Sequence, residues 1–341
     1  MKIKAFAPGK IILFGEHFVV YGAEGVVGAV EPSNEIEINM EERGEGGLEY
    51  NSTIKECSLK ISAKECMEKE NIKHPIEAVY CKLLMEIDGL EKYEINADAK
   101  KCWPMKGVGN SASLSGAFAC GVRKELGKEM SENIIFEYCM AGDEAAHGKP
   151  SGIDATAVSR GGMLEFKKKF DGSKPEIKKL DIKLGGGHSF LLVNTLKKGR
   201  ERANTVMQIE KFAKNYNIKK KPEEMNEGER KEICGEYEKI LENARKAFES
   251  GDMEKLGKCM NNNHKLLVKG GVSSKDIEKV VEIALNAGCL GAKLSGAGGE
   301  GGVVVALVEN NRINEIKRKF EDAGFSAYKF KLAEKGANCL S

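Results

Sequence analysis

Glycine is concentrated in three segments of this chain: Ala7-Pro8-Gly9-Lys10, Gly107-Val108-Gly109-Asn110-Ser111-Ala112-Ser113, and the run from Gly291 to Gly302. A residue without a Cβ lets backbone N–H groups approach a ligand closely, and a helix that starts just beyond such a loop adds the positive end of its dipole. The second segment has this form, because small and apolar residues recur at helical spacing from Ser111 to Leu126 directly after it. It meets neither the G-x-x-x-x-G-K-[ST] pattern nor G-x-G-x-x-G with a suitable acidic residue downstream, which argues against an ordinary P-loop or Rossmann site. Taken singly, each segment is also readable as a tight turn between elements.

The 341 residues exceed the usual length of one domain, so two domains with a cleft between them are expected, 1–185 and 186–341. Ile3 to Phe14 reads as strand around a Pro-Gly turn, and Val26 to Val30 with Ile36 to Ile38 continues the sheet. A helical pattern over Ser131 to His147 leads into Gly148-Lys149-Pro150-Ser151-Gly152, followed by a strand over Gly161 to Phe166. Lys167 to Lys183 reads as basic and irregular, Ser189 to Val193 as strand, and helical patterns begin near Arg200. Helices are then predicted over Glu229–Ser250, Asp252–Val268, Ser274–Ala287 and Asn311–Ala323, with a strand over Gly302–Val308. The charged run from Asn217 to Arg230 reads as a solvated loop or frayed helix end.

Lys plus Arg number 54 against 52 Asp plus Glu, so no global field favours nucleic acid or an anionic membrane, and 6% aromatic residues give no basic, aromatic-studded face. No apolar run approaches the roughly 18 to 20 residues of a membrane span. The first residues lack the apolar core of a secretory leader, so a cytoplasmic location is expected. The ten cysteines, scattered from Cys57 to Cys339 without a C-x-x-C pair, are read as reduced thiols, many of them buried.

The contiguous run from Ala7 to Gly22, Ala-Pro-Gly-Lys-Ile-Ile-Leu-Phe-Gly-Glu-His-Phe-Val-Val-Tyr-Gly, resembles the first motif of the GHMP kinases in its mevalonate kinase form. Gly107 to Ser113 resembles the second motif, Gly291 to Gly302 the third, and Pro150-Ser151-Gly152-Ile153-Asp154 the P-S-G-[IV]-D turn. Met260 to Leu267 is similar to the M-x-x-N-H-x-L-L helix, so the resemblance spans nearly the whole chain. It implies an α+β, two-domain GHMP kinase fold: a ribosomal-S5-domain-2-like N-terminal domain, a ferredoxin-like C-terminal domain, and an active site between them. The implied reaction is ATP-dependent phosphorylation of mevalonate to 5-phosphomevalonate, with Mg²⁺ accompanying ATP; the alternatives are another small-molecule kinase of the same superfamily, such as one acting on phosphomevalonate, or a non-catalytic ligand sensor on the same fold. The implied partners are small molecules, neither nucleic acid nor membrane, and a homodimer is compatible with this reading.

Carried over residue by residue, the resemblance makes Asp154 the carboxylate that accepts or orients the acceptor hydroxyl proton, with Lys10 as its cationic neighbour. Asp154 is also readable as a helix N-cap. Lys10, after Pro-Gly in an apolar strand, is costly to leave unpaired, and either Asp154 or phosphate would pair it. Gly107, Val108, Gly109, Asn110, Ser111, Ala112 and Ser113 are the expected ATP-binding loop, with Ser111 also a metal ligand or an ordinary N-cap. The second metal ligand is expected eleven residues before Asp154, at Asp143, with Glu144 beside it as the alternative. Glu16, His17 and Ser151 are the expected acceptor contacts, and Gly296, Ala297, Gly298 and Gly299 would bring main chain to the phosphates.

The chain departs from the family pattern at Asn110, where serine is usual and an amide can still donate to phosphate, and at Glu300, where glycine is usual. A carboxylate aimed at phosphates would repel them, so Glu300 is expected to point away or to bind metal. Trp103, the only tryptophan, is readable as a packing residue or as a stacking partner for adenine.

Overall fold

The computed structural model describes residues 2–52, 57–181, 187–197 and 203–340. Pro8 and Gly9 do not break the first apolar run. Strand β1 (Lys2–Phe14) continues through them and pairs antiparallel with β2 (Glu24–Glu42), with register shifts between Ala7 and Gly9 and between Ile12 and Phe14. A register irregularity is where a residue lacking an N–H fits a ladder, so the expected turn is a bulge in one long strand.

The first part of the chain continues with β3 (Gly47–Ser52), β4 (Cys57–Ser62), α1 (Ala63–Glu68), α2 (Pro75–Glu86), β5 (Tyr93–Lys101), α3 (Asn110–Glu125), α4 (Glu132–His147), α5 (Ile153–Arg160), β6 (Met163–Lys167) and β7 (Glu176–Leu180). The second part contains β8 (His188–Asn194), α6 (Thr205–Asn215), α7 (Glu227–Ser250), α8 (Met253–Lys269), α9 (Lys275–Asn286), β9 (Gly291–Ser295), β10 (Val303–Glu309), α10 (Ile313–Asp322), β11 (Ser326–Lys329), β12 (Lys331–Leu332) and β13 (Asn338–Cys339).

One large sheet has the strand order β13-β1-β2-β5-β3-β4, with β6 and β12 also on β2 and β7 on β6, and a smaller sheet has the order β11-β8-β10-β9. The inward residues Ile36, Ile38 and Ile95 of the large sheet pack against Ala117, Phe118, Tyr138 and Val158 of α3, α4 and α5. A second core joins Leu191, Val193 and Val305 of the small sheet to Leu241, Met260, Val280 and Phe320 of the later helices. That core also takes in Ile11, Phe14, Phe18 and Val26, so apolar packing is continuous across the seam between the two parts. The architecture is α+β, as expected.

Several boundaries differ from the sequence reading. The stretch expected to be irregular contains β7, whose Ile177 packs with Phe166 and Leu164 and whose Leu180 packs against the second core. The charged run from Asn217 contains a turn at Pro222–Glu224 and then the start of α7, where Asn226 and Glu229 form a capping box. The tail after Phe330 returns to the large sheet, because β12 pairs with β2 and β13 with β1. The expected domain boundary near residue 185 and the expected helix start near Arg200 lie outside the described residues. Among the described residues no helix is long and apolar enough to cross a membrane.

The reading of all cysteines as free thiols is corrected at one pair. Cys66 and Cys81 are joined by a disulfide that ties α1 to α2, because the fold brings the two helices side by side. The other eight form no disulfide among the described residues. For a sequence separation of 15, loop closure in the unfolded chain contributes about 3 kcal/mol. Urea unfolding with and without a thiol reductant, with Cys66→Ser as reference, is expected to reveal a loss of that order; identical midpoints would assign the bond no stabilising role.

Candidate active site

Strand β1 carries Lys10 into the seam. Its N–H donates to Val108 O at 2.8 Å, its side chain is 5% exposed, and its ammonium lies 3.0 Å from Asp154 Oδ1. Asp154 stands in the first turn of α5, after Gly152 at φ 87°, a conformation that favours glycine. Gly109 has φ 72°, and a Cβ there would come within 2.7 Å of Lys10 Cγ, so the loop needs glycine to make room for the lysine. The two motifs are therefore fitted around one ion pair.

Helix α3 begins at Asn110 and directs its first turn at Asp143, which projects from α4. Ser111 Oγ donates to Asp143 Oδ1 at 2.5 Å, and the Ala112 N–H also donates to that carboxylate. His147, one turn further along α4, has Nε2 3.4 Å from Ser111 Oγ. Asp143 is 1% exposed. Burial, and then the like charge of Asp154, push its carboxyl up to about 8, against the opposing effects of Ser111, Lys10 and the Ala112 N–H. Such a site fits a hard divalent cation. Its donors are oxygens, its buried carboxylate lacks full compensation, and a cation that takes its remaining ligands from phosphate and water needs few protein ligands. Glu144 is exposed and does not line the cavity, so of the two candidates only Asp143 faces Ser111.

A cavity of about 360 Å³ opens beside these groups and is also lined by Glu16, His17, Gly107, Gly109, Asn110, Ser151, Gly296 and Ala297. His17 has φ 62° and ψ −42°, an uncommon backbone for a non-glycine residue, and its ring stacks on Phe212 at 4.9 Å. Its Nε2 lies 2.9 Å from Ala297 O, which fixes the proton on that nitrogen because a carbonyl only accepts. Burial pushes the imidazole down to about 4, so the ring is neutral near pH 7, and among the described residues Nδ1 has no protein partner.

Not every residue of the glycine motifs reaches the cavity. Val108, Ala112 and Ser113 are wholly buried, and Ser113 Oγ donates to Ala7 O at 2.9 Å, which locks α3 to β1. Asn110 spends its amide within the loop, donating to Met105 O at 2.9 Å and accepting from Asn34 at 3.1 Å. Gly298 and Gly299 back onto Val272 and Gln208 because the third loop turns away after Ala297. Glu300 is exposed and off the cavity, and Trp103 is 3% exposed, packed against Gly9 rather than offered for stacking.

Among the other lining residues, His147, Lys168 and an apolar wall were not singled out for this site by sequence reasoning. His147 lies at the α3–α4 contact, and the cations Lys106, Lys149 and Lys168 ring the cavity. Lys168 falls in the stretch whose sequence reads as basic and irregular. Ile12, Val19, Val20, Ile153, Val206 and Ile209 form an apolar wall. Their helical and strand periodicity looks like ordinary core, so no sequence signal separates them.

Comparison with known proteins gives a consistent set of similarities. Residues 74–162 match the family model for the GHMP kinases N terminal domain and residues 244–326 that for the GHMP kinases C terminal region. The chain is 30% identical to a mevalonate kinase of Aeropyrum pernix over 335 residues, covering 98% of this chain and 97% of that protein. A crystal structure of L. major mevalonate kinase in complex with R-mevalonate superposes with a TM-score of 0.76 at 26% identity, covering 96% of this chain and 95% of the other. The crystal structure of the Methanococcus jannaschii mevalonate kinase gives a TM-score of 0.74 at 25% identity, covering 97% and 98%.

Proposed function

Because the chain belongs to the GHMP kinases and, within them, to the mevalonate kinase family, we propose that it transfers the γ-phosphoryl group of ATP to the primary hydroxyl of mevalonate, yielding 5-phosphomevalonate and ADP. The observation that carries this reading is the Lys10–Asp154 pair, 3.0 Å apart, in a cavity lined by the second glycine loop and by Gly296 and Ala297 of the third.

Phosphoryl transfer asks the protein mainly to align an oxygen nucleophile with phosphorus and to stabilise charge on the phosphate oxygens. In this reading Asp154 orients the acceptor hydroxyl and takes its proton as the new P–O bond forms and the bond to the ADP oxygen breaks. Lys10 holds Asp154 in place and offers its ammonium to the transferred group. Gly107, Gly109 and the first turn of α3 present backbone N–H groups and a dipole to the nucleotide phosphates. Ser111 and Asp143 would hold Mg²⁺, which supplies charge neutralisation and geometric restraint to the phosphates when bound. Ile12, Val19, Val20, Ile153, Val206 and Ile209 suit the carbon skeleton of the acceptor, and Lys149 and Lys168 offer counter-charges for its carboxylate. Glu16, His17 and Ser151 supply polar contacts on the same wall.

The test is coupled ADP release with Mg-ATP against mevalonate, phosphomevalonate, homoserine and galactose. Turnover of mevalonate above the other three is expected. Preference for phosphomevalonate would reassign the ring of lysines to a second phosphate, and turnover of none would overturn the reading.

A further inference from the structure

Lys293 is 0% exposed and sits in the middle of β9, between Ala292 and Leu294 of the second core. Its ammonium is paired with Glu16 Oε1 and donates to Leu294 O at 2.6 Å. Glu16 is equally buried, follows β1 on the opposite side of the seam, and lines the cavity, whereas Lys293 stands behind it and does not. Two further bonds cross beside this pair: the Ile12 N–H donates to Ser295 Oγ at 3.0 Å, and His17 donates to Ala297 O at 2.9 Å. Alternate residues of the third motif, Lys293, Ser295 and Ala297, thus grip Ile12, Glu16 and His17 of the first.

A buried ion pair is a poor source of net stability, because desolvating both charges offsets most of their attraction. Its value lies in fixing geometry, and here the geometry fixed is a segment with a strained residue, His17, at the cavity wall. Glu16 and His17 both line the cavity, and among the described residues Glu16 Oε2 and His17 Nδ1 are buried without a protein partner, so the shape and polarity of this wall depend on how Glu16 is held.

We propose that Lys293 is a positioning residue for the acceptor, acting from across the domain seam through Glu16 to hold the Glu16–His17 wall in its binding geometry. This rests on the kinase reading above. A residue that tunes acceptor binding alone raises the acceptor KM and leaves kcat and the ATP KM in place, whereas a merely structural residue lowers the amount of folded enzyme.

The experiment compares the wild-type enzyme with Lys293→Met, Lys293→Gln, Glu16→Gln and the double variant Glu16→Gln/Lys293→Met, each checked for folding by thermal melting. Lys293→Gln retains a donor for Glu16 and is the milder lesion. Expected in Lys293→Met is a mevalonate KM raised about tenfold or more with the ATP KM within about twofold, an intermediate value in Lys293→Gln, and a double variant no worse than Glu16→Gln alone. A wild-type mevalonate KM in either folded Lys293 variant, or losses that multiply in the double variant, would overturn the proposal. Failure of the wild-type enzyme to turn over mevalonate would instead overturn the kinase reading on which it stands.

Discussion

Asp154→Asn is expected to lower kcat for mevalonate by roughly 10²- to 10⁴-fold, the range that removal of a general base produces, while the ATP KM stays within a factor of about two. Asparagine keeps the size of the side chain and an oxygen that can accept from Lys10, so the 3.0 Å contact with the ammonium has a neutral counterpart. What it lacks is a place for the proton leaving the acceptor hydroxyl. Steady-state ADP release gives kcat, and calorimetric titration with a non-hydrolysable nucleotide tests whether the site still binds. A kcat within tenfold of wild type would return Asp154 to the role of a first-turn residue of α5 that merely pairs with Lys10. Loss of nucleotide binding together with turnover would mean that the substitution had disturbed the cavity itself.

How legible this site was in the sequence depended on whether its parts are local. Lys10 and Asp154 were readable because each sits in a short contiguous pattern, and the cost of leaving Lys10 unpaired in an apolar strand already called for an anion. Asp143 was readable by counting along the chain. The choice against Glu144 was not, because it depends on which face of α4 meets Ser111. The pairing of Lys293 with Glu16 was not legible, since the two lie 277 positions apart and a lysine in an apolar strand calls for an anion without revealing which one it faces. The amide of Asn110 is chemically able to donate to phosphate, and only the fold reveals that Met105 O and Asn34 are its partners within the protein. The Cys66–Cys81 bond had no motif to announce it and follows from the placement of α1 against α2. In the fold, α3, α4 and the later helices were legible from their 3.6-residue period, whereas β12 and β13 are too short to carry a period and are strands only because β2 and β1 offer them an edge.

Asp143→Asn is expected to move activity and stability in opposite directions. The carboxyl of Asp143 is pushed from an ordinary 3.8 up to about 8 by burial and by Asp154, and each tenfold in that displacement is about 1.4 kcal/mol, so ionising it inside the metal-free protein costs several kcal/mol. The sign follows from the direction: with a folded value above the unfolded one, the protonated group's contribution to stability is fully present below about 3.8 and is lost as pH rises through about 8. Metal-free wild-type protein should therefore lose melting temperature between pH 5 and pH 9 by more than Asp143→Asn does, and the variant should be the more stable of the two at the alkaline end. Mg²⁺ with nucleotide should recover the wild-type loss and release a proton on binding at pH 7, measurable as a buffer-dependent heat, and should do neither for the variant. Turnover should fall roughly 10²-fold or more at fixed Mg²⁺, since a charged oxygen ligand has been replaced by a neutral one. Glu144→Gln, at an exposed position off the cavity, should leave both properties unchanged. A carboxylate kept only to hold α3 against α4 predicts a different pattern, in which Asp143→Asn loses stability at every pH and keeps its Mg²⁺ dependence. The same variant thus separates a ligand from a brace, because only a ligand leaves the empty site strained by the charge it needs when occupied.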